Sequence, residues 1–342
     1  RGGMNRQGDW KVYGGYSEIT RYSPFTANTG MTNFGSTTPN IVAITKGGTG
    51  SDYDFKMQRK AASAGFDKWI TPNLKFEASV KSEDKNGTRL WGRGYDCASY
   101  VCGSSTTTAI NQANFLKNAI LMIPEPVDSN IKQFDARLAF NSAKLNVTAA
   151  YYGSFYTNAN GNISPIVPNA LYGGNQTLVG ALYPAVGTNI IAGGGLSLQQ
   201  VLASPLALPP DNQAHQYSIS GNYAFTPSTR ATFRYAYTHA TQDESFAGMG
   251  FTGAPAGFSN YGGRVDTVAA QMGLTSRINK DLTVLGNISY SDKKDKSPKG
   301  LYNVEAKAVF PAPTPTSYTN VNQPGLPGAN WDNNHISNTM VF

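Results

Sequence analysis

Two cysteines, three histidines and a few carboxylates set in alternating stretches are the residues of this 342-residue chain best suited to chemistry. Cys97 and Cys102, in YDCASYVCG, stand close enough in sequence for a disulfide in an oxidising compartment, with free thiols or half of a metal site as the alternatives. No further Cys/His group stands nearby to complete a zinc site. The spacing is not C-x-x-C followed by His, so the chain attaches no c-type haem covalently. His215, His239 and His335 are scattered. His215 opens one arm of a hairpin and His239 falls on the apolar side of the other, which reads as an interfacial position rather than a ligand or catalyst. Glu77 and Asp135 sit beside Lys75 and Arg137, as ion pairs on a wet wall would, and not as an acid/base couple. The glycine runs lie in loops and not at a strand-to-helix turn, so they cradle no phosphate. The residues point to no catalytic, cofactor-binding or metal site, and the chain reads as a non-enzyme.

The elements that must position these side chains are strands. In the stretch from Leu208 to Phe246, Tyr217, Ile219, Gly221, Tyr223 and Phe225 share one face, while Ser218, Ser220, Asn222, Ala224 and Thr226 share the other. After Thr226-Pro227-Ser228, Ala231, Phe233, Tyr235 and Tyr237 oppose Arg230, Thr232, Arg234, Ala236 and Thr238. Period two is the strand period, and proline suits the turn. Arms of about 12 residues at about 3.3 Å each, tilted near 40°, rise roughly 30 Å, the thickness of a bilayer's apolar layer. Lipid on one side and water on the other select such a pattern.

The same alternation recurs along the chain. Trp10, Val12, Gly14 and Tyr16 mark a first strand whose earlier partner is missing, and a weaker strand covers about 55–66. Leu74, Phe76, Ala78 and Val80 then oppose Lys75, Glu77, Ser79 and Lys81. FDARLAF and LNVTAAYYGSFY make a hairpin across Ser142-Ala143, and DTVAAQMGLTS and DLTVLGNISYS make another around Asn279-Lys280. The apolar run Ala119 to Pro124 reads as a short helix lying against the sheet. Tight turns near 72, 142, 227 and 279 alternate with long loops at about 20–54, 86–130, 158–212, 243–264 and 292–336. Outer-membrane barrels keep short periplasmic turns and long external loops, and this parity is unbroken. The expectation is all-β: a transmembrane antiparallel up-and-down β-barrel in the bacterial outer membrane, residues 1–342 forming a single domain. About nine strands are visible, so the chain reads as a fragment of a larger barrel.

Composition agrees. Only 14% of residues are charged and 11% are aromatic, with 36 Gly. No run of about 18 apolar residues provides a helical span. The net charge of +7 is scattered among strand faces and loops, which gives nucleic acid no basic stripe. Lys293, Lys294 and Lys296, followed by Lys299, sit where a strand leaves the membrane; anionic lipid head groups or a solvated loop base are the two readings. The opening Arg-Gly-Gly-Met has no signal-peptide pattern, so the chain reads as a mature or internal piece.

LPPDNQAHQYSISGNYAFTPSTRATFRYAYTHATQDESF resembles the signature hairpin of the decahaem-associated outer-membrane protein family, the MtrB/PioB type. There a PDN-(x)-A-H start, a TP-x-TR turn and a TQ-(x)n-F exit recur. GGYSEITRYSPFTANTG, KSEDKNGTR and YYGSFYTNANGN resemble the same family in order, so the resemblance spans most of the chain. It implies a large barrel that sheathes a periplasmic multihaem (decahaem) c-type cytochrome and, in many systems, meets an extracellular multihaem cytochrome beyond. Haem would be carried by the partner and no cofactor by this chain. On this reading Lys75, Glu77, Asp135, Arg137, Arg230 and Arg234 face the lumen and are the candidate partner contacts. The C-x-x-C pair that some members carry near the mature N-terminus matches neither the spacing nor the place of Cys97 and Cys102, so no redox role transfers. A diffusion porin or substrate-specific channel is the alternative.

Overall fold

The computed structural model describes residues 1–42, 48–96, 118–166, 203, 205–250 and 259–297. Cys97, Cys102, His335 and the connection after residue 297 lie outside the described residues. Twelve strands follow one another among the described residues: β1 (Gly2–Arg6), β2 (Trp10–Thr29), β3 (Ser51–Thr71), β4 (Leu74–Asp96), β5 (Asn118–Asn141), β6 (Leu145–Asn158), β7 (Asn162–Ile163), β8 (Leu206–Ala207), β9 (Asn212–Thr226), β10 (Thr229–Gln242), β11 (Gly263–Arg277) and β12 (Thr283–Asp295). All but the short β7–β8 pair form one ten-stranded sheet, in chain order and antiparallel throughout. Among the described residues β1 and β12 are its two edges and do not pair with each other.

Register makes one face continuous. Trp10, Lys68, Phe76, Leu138, Ala149, Ile219, Tyr235, Ala270 and Tyr290 are successive cross-strand partners in a single row. The next row runs Val12, Phe66, Ala78, Ala136, Tyr151, Tyr217, Tyr237, Val268 and Asp292. Among the described residues nothing covers this apolar face: Tyr235 is 45% exposed, Val284 49% and Ile288 74%. In water such a surface would be an aggregation site; in a bilayer it is the lipid contact. The apolar band also slants. It reaches Val80 and Phe134 on β4 and β5, but in that same row of partners β10, β11 and β12 already present His239, Asp266 and Lys294. Rows run perpendicular to strands, so a level membrane boundary drifts across them when strands tilt.

The buried apolar side chains collect elsewhere, at the end where the long connections lie. Met31, Phe55, Ile163, Leu206, Leu208, Phe246, Met249 and Tyr261 are all buried there, with Phe246, Met249 and Tyr261 packed together against Ala207. Phe34 stacks on Tyr53 at 4.2 Å and meets Phe55 at 5.3 Å. Asn162 Nδ2 donates to the Gly248 carbonyl at 2.9 Å and ties the β6–β9 connection to the β10–β11 connection.

Several sequence expectations change. The first strand has an earlier partner, β1, joined by a turn with Gly8 at φ 73°. Residues 20–29, 51–54, 86–96 and 118–130, expected in loops, continue β2, β3, β4 and β5. The expected helix at Ala119 to Pro124 is part of β5, hydrogen-bonded in register to 90–95 of β4. A short apolar run has no period that separates helix from strand, and here the β4 ladder decides. β6 ends at Asn158 opposite Ser129, so beyond that point β5 is an edge among the described residues. Pro124 and Pro126 fall on that edge, where a missing N–H is tolerated and further pairing is blocked. Pro24 lies in the β2 bulge between Tyr22 and Thr26 for the same reason. The tight turns fall where expected, at 72–73, 142–144, 227–228 and 278–282, all at one end of the sheet.

An arginine on the apolar face opposes lipid, whereas one on the other face opposes water. Ile219→Arg therefore lowers stability by about 2–4 kcal/mol and Thr232→Arg by less than about 1 kcal/mol. Denaturant unfolding of the full-length protein in phospholipid vesicles measures both.

Candidate functional site

The opposite, polar face carries the candidate residues. Lys75, Glu77 and Ser79 alternate with Phe76, Ala78 and Val80 on β4, and Asp135 and Arg137 alternate with Phe134, Ala136 and Leu138 on β5. Glu77 and Arg137 are direct cross-strand partners. The Lys75 ammonium contacts Glu77 and lies 3.5 Å from Asp67, and it stands over the Trp69 ring at 5.9 Å. Arg137 Nε is 2.8 Å from Asp135 Oδ1. These five charges form one patch across β3, β4 and β5, with three carboxylates against two cations. Each cation is held by a carboxylate, and three against two leaves the patch a net charge of −1.

Arg230 and Arg234 are placed differently. Arg234 occupies the row of Lys75, reached through Ala139, Thr148 and Ser220, with Gln271 and Ser289 beyond it. Arg230 lies between Ala224 and Thr275. Both side chains are exposed, their cross-strand neighbours are uncharged, and neither makes an ion pair among the described residues. The polar face thus has a self-paired half on β3–β5 and an unpaired cationic half on β10. The structure brings Lys75, Glu77, Asp135 and Arg137 together and leaves Arg230 and Arg234 apart from them.

Small residues keep the wall thin at chosen points. A Cβ on Gly65 would lie 2.2 Å from a ring carbon of Tyr13, so the tyrosine can lie across β3 only because position 65 is glycine.

Beyond the apolar band the β4–β5 hairpin projects past β6 from Asn86 and Asp128 onward, roughly 35 Å along the strands at about 3.3 Å per residue. Here Arg89 makes two hydrogen bonds to Glu125, Nε to Oε2 at 2.6 Å and Nη2 to Oε1 at 2.9 Å, and only 5% of the Glu125 side chain is exposed. The hydrogen bond to Glu125 holds Arg89 above its usual range. Lys85 is pushed below its usual range, first by burial and then by Arg89 and Arg59. Sequence reading missed Asp67, Trp69, Arg59, Lys85, Arg89 and Glu125. The strands here are longer than a bilayer requires, and outside lipid no apolar alternation marks them.

The family model described as "Putative outer membrane beta-barrel porin, MtrB/PioB" matches residues 1–339. The chain belongs to the MtrB/PioB family. Like the rest of this family it is an outer-membrane β-barrel protein of bacteria. It is similar to the "Outer membrane protein MtrB" of Shewanella baltica (strain OS185), 21% identical over 325 residues that make up 93% of this chain and 41% of that protein. The chain therefore spans about two-fifths of the length of this MtrB relative. Among solved structures it is similar to a Pseudomonas aeruginosa FadL homologue, with 13% identity, TM-score 0.33, and 86% and 59% of the two chains covered. It is also similar to the ferric-catecholate import receptor Fiu from E. coli K12, with 14% identity, TM-score 0.36, and 82% and 41% covered.

Removing one member of the Arg89–Glu125 pair strands the other. Glu125→Gln destabilises the projecting hairpin by about 1–3 kcal/mol. Amide hydrogen exchange in 86–96 and 122–130 then accelerates, while exchange in the membrane part of β9 and β10 stays unchanged.

Proposed function

We propose that this MtrB/PioB chain forms part of a barrel wall that encloses a periplasmic multihaem c-type cytochrome, so that electrons cross the outer membrane along the partner's haems. The long-connection end faces outward in this reading and presents its packed loops to an extracellular multihaem partner. The protein contributes no redox group. It excludes lipid, insulates the haem chain and fixes the partner's position.

The observation that carries the reading is the division of the polar face. On β3–β5 the cations Lys75 and Arg137 are held by Asp67, Glu77 and Asp135, whereas on β10 Arg230 and Arg234 are exposed without a counter-charge among the described residues. Two exposed guanidiniums on one face of one strand suit carboxylates on an inserted protein, which they can bind in bidentate fashion. Serine, threonine, asparagine and glutamine fill the rows between them, which suits a wet interface.

The description of the family as a porin favours a second reading, a diffusion porin. In that case the same arginines would set anion preference in an open lumen.

Full-length protein purified from its native membrane separates the two. The sheath reading expects a haem spectrum at a fixed ratio to the barrel, and the double variant Arg230→Glu/Arg234→Glu lowers that ratio about tenfold, with Glu77→Gln changing it less. A haem-free preparation that conducts ions in planar bilayers would establish the porin instead.

A further inference from the structure

On the lipid-facing side, at the long-connection end, the sheet carries a compact cationic cluster that the lumen has no use for. Asp266 is the first outward position of β11 above the apolar band, directly beyond Val268. Its side chain is only 7% exposed, and three basic groups converge on it. Lys296 Nζ lies at 2.7 Å, His239 Nδ1 at 2.6 Å and Arg264 Nη2 at 3.3 Å. Lys294, the cross-strand partner of Asp266, pairs with Asp292 at 3.0 Å. The backbone is fixed too, since Lys296 N–H donates to the Arg264 carbonyl at 2.8 Å and Arg264 N–H donates to Ser297 Oγ at 3.0 Å.

A buried carboxylate that holds three basic side chains leaves their remaining N–H groups pointing outward from one spot. Arg264, Lys294 and Lys296 remain about half exposed or more. Such an array satisfies an oxyanion with several charge-assisted hydrogen bonds and little loss of side-chain freedom. Its place on the wall narrows the ligand. It sits on the apolar face, one row of partners beyond the lipid contact, where acyl chains end and head groups begin. A soluble anion could approach the polar face or the loops equally well, but an anion carried on acyl chains is delivered to this row.

We infer that Arg264, Lys294 and Lys296, organised by Asp266 and His239, form a site for the phosphate of a membrane glycolipid of the lipid A type. The leaflet follows from the orientation proposed above, with long connections outside; the site itself is independent of the cytochrome. Lys132 provides an internal control. It too is the first polar outward position above the band, on β5 beyond Phe134, but it makes no ion pair among the described residues and stands alone.

Native mass spectrometry of the full-length protein, released from micelles doped with bisphosphorylated lipid A, tests the site. A lipid A adduct is expected, about tenfold weaker in Lys294→Gln/Lys296→Gln and unchanged in Lys132→Gln. Asp266→Asn, which loosens the cluster without removing a cation, is expected to weaken it less than the double variant does. Heat-modifiable gel migration confirms that each variant is folded. Equal adducts with dephosphorylated lipid A, equal adducts with phosphatidylglycerol, displacement by inorganic phosphate, or no loss in the folded double variant would each overturn the assignment. Haem retention, measured on the same preparations, reports separately on the sheath.

Discussion

Hydrocarbon offers a backbone N–H or C=O no partner, so a chain that crosses it as strands must pair every peptide group with a neighbouring strand. The ten-stranded ladder answers that demand from β2 to β11 without a break in register through the membrane level. Its bulges fall outside that level or at a turn: Tyr22 to Thr26 in the long part of β2, Trp69 to Thr71 beside the 72–73 turn, and Thr229 beside 227–228. The same demand applies to the outer edges of β1 and β12, which call for further strands wherever lipid reaches them. Once register is continuous, side-chain alternation is continuous, and a lipid face and a water face follow over the whole sheet.

Electrostatics and packing divide along the membrane boundary. Within the band the outward side chains are unburied by protein and the inward charges are either paired with each other, as on β3–β5, or left exposed, as Arg230 and Arg234 are. Above the band, water returns and the protein must again bury apolar surface in itself. The Phe246–Met249–Tyr261 cluster, the Phe34–Tyr53 stack and the Arg89–Glu125 pair all lie there. A transmembrane barrel needs no hydrophobic core at membrane level, because lipid plays that part. The overlong β4 and β5 continue the ladder beyond the level at which β6 ends.

For function, the paired strands of such a wall fix the places from which its charged side chains project. On the lipid side, Asp266 gathers His239, Arg264 and Lys296 directly beyond Val268, where the apolar stretch of β11 ends.

Period two along Tyr217–Phe225, Ala231–Tyr237 and Leu282–Tyr290, and the parity of short and long connections, made the strands, the faces and the membrane setting readable in the residues alone. Alternation is a local property imposed by lipid, so it survives in one dimension. Lys75 beside Glu77, and Asp135 beside Arg137, were legible as ion pairs because residues two apart in a strand share a face. The strands at 86–96 and 118–130 were not legible, since outside the bilayer period-two alternation is not imposed, and the continuous apolar run Ala119 to Pro124 read as a short helix. Only tertiary pairing showed that Arg230 and Arg234 face uncharged neighbours, and that His239, Asp266 and Lys296, far apart in the chain, meet at one height. Which charges find partners depends on register between strands, and register is decided by the assembled sheet.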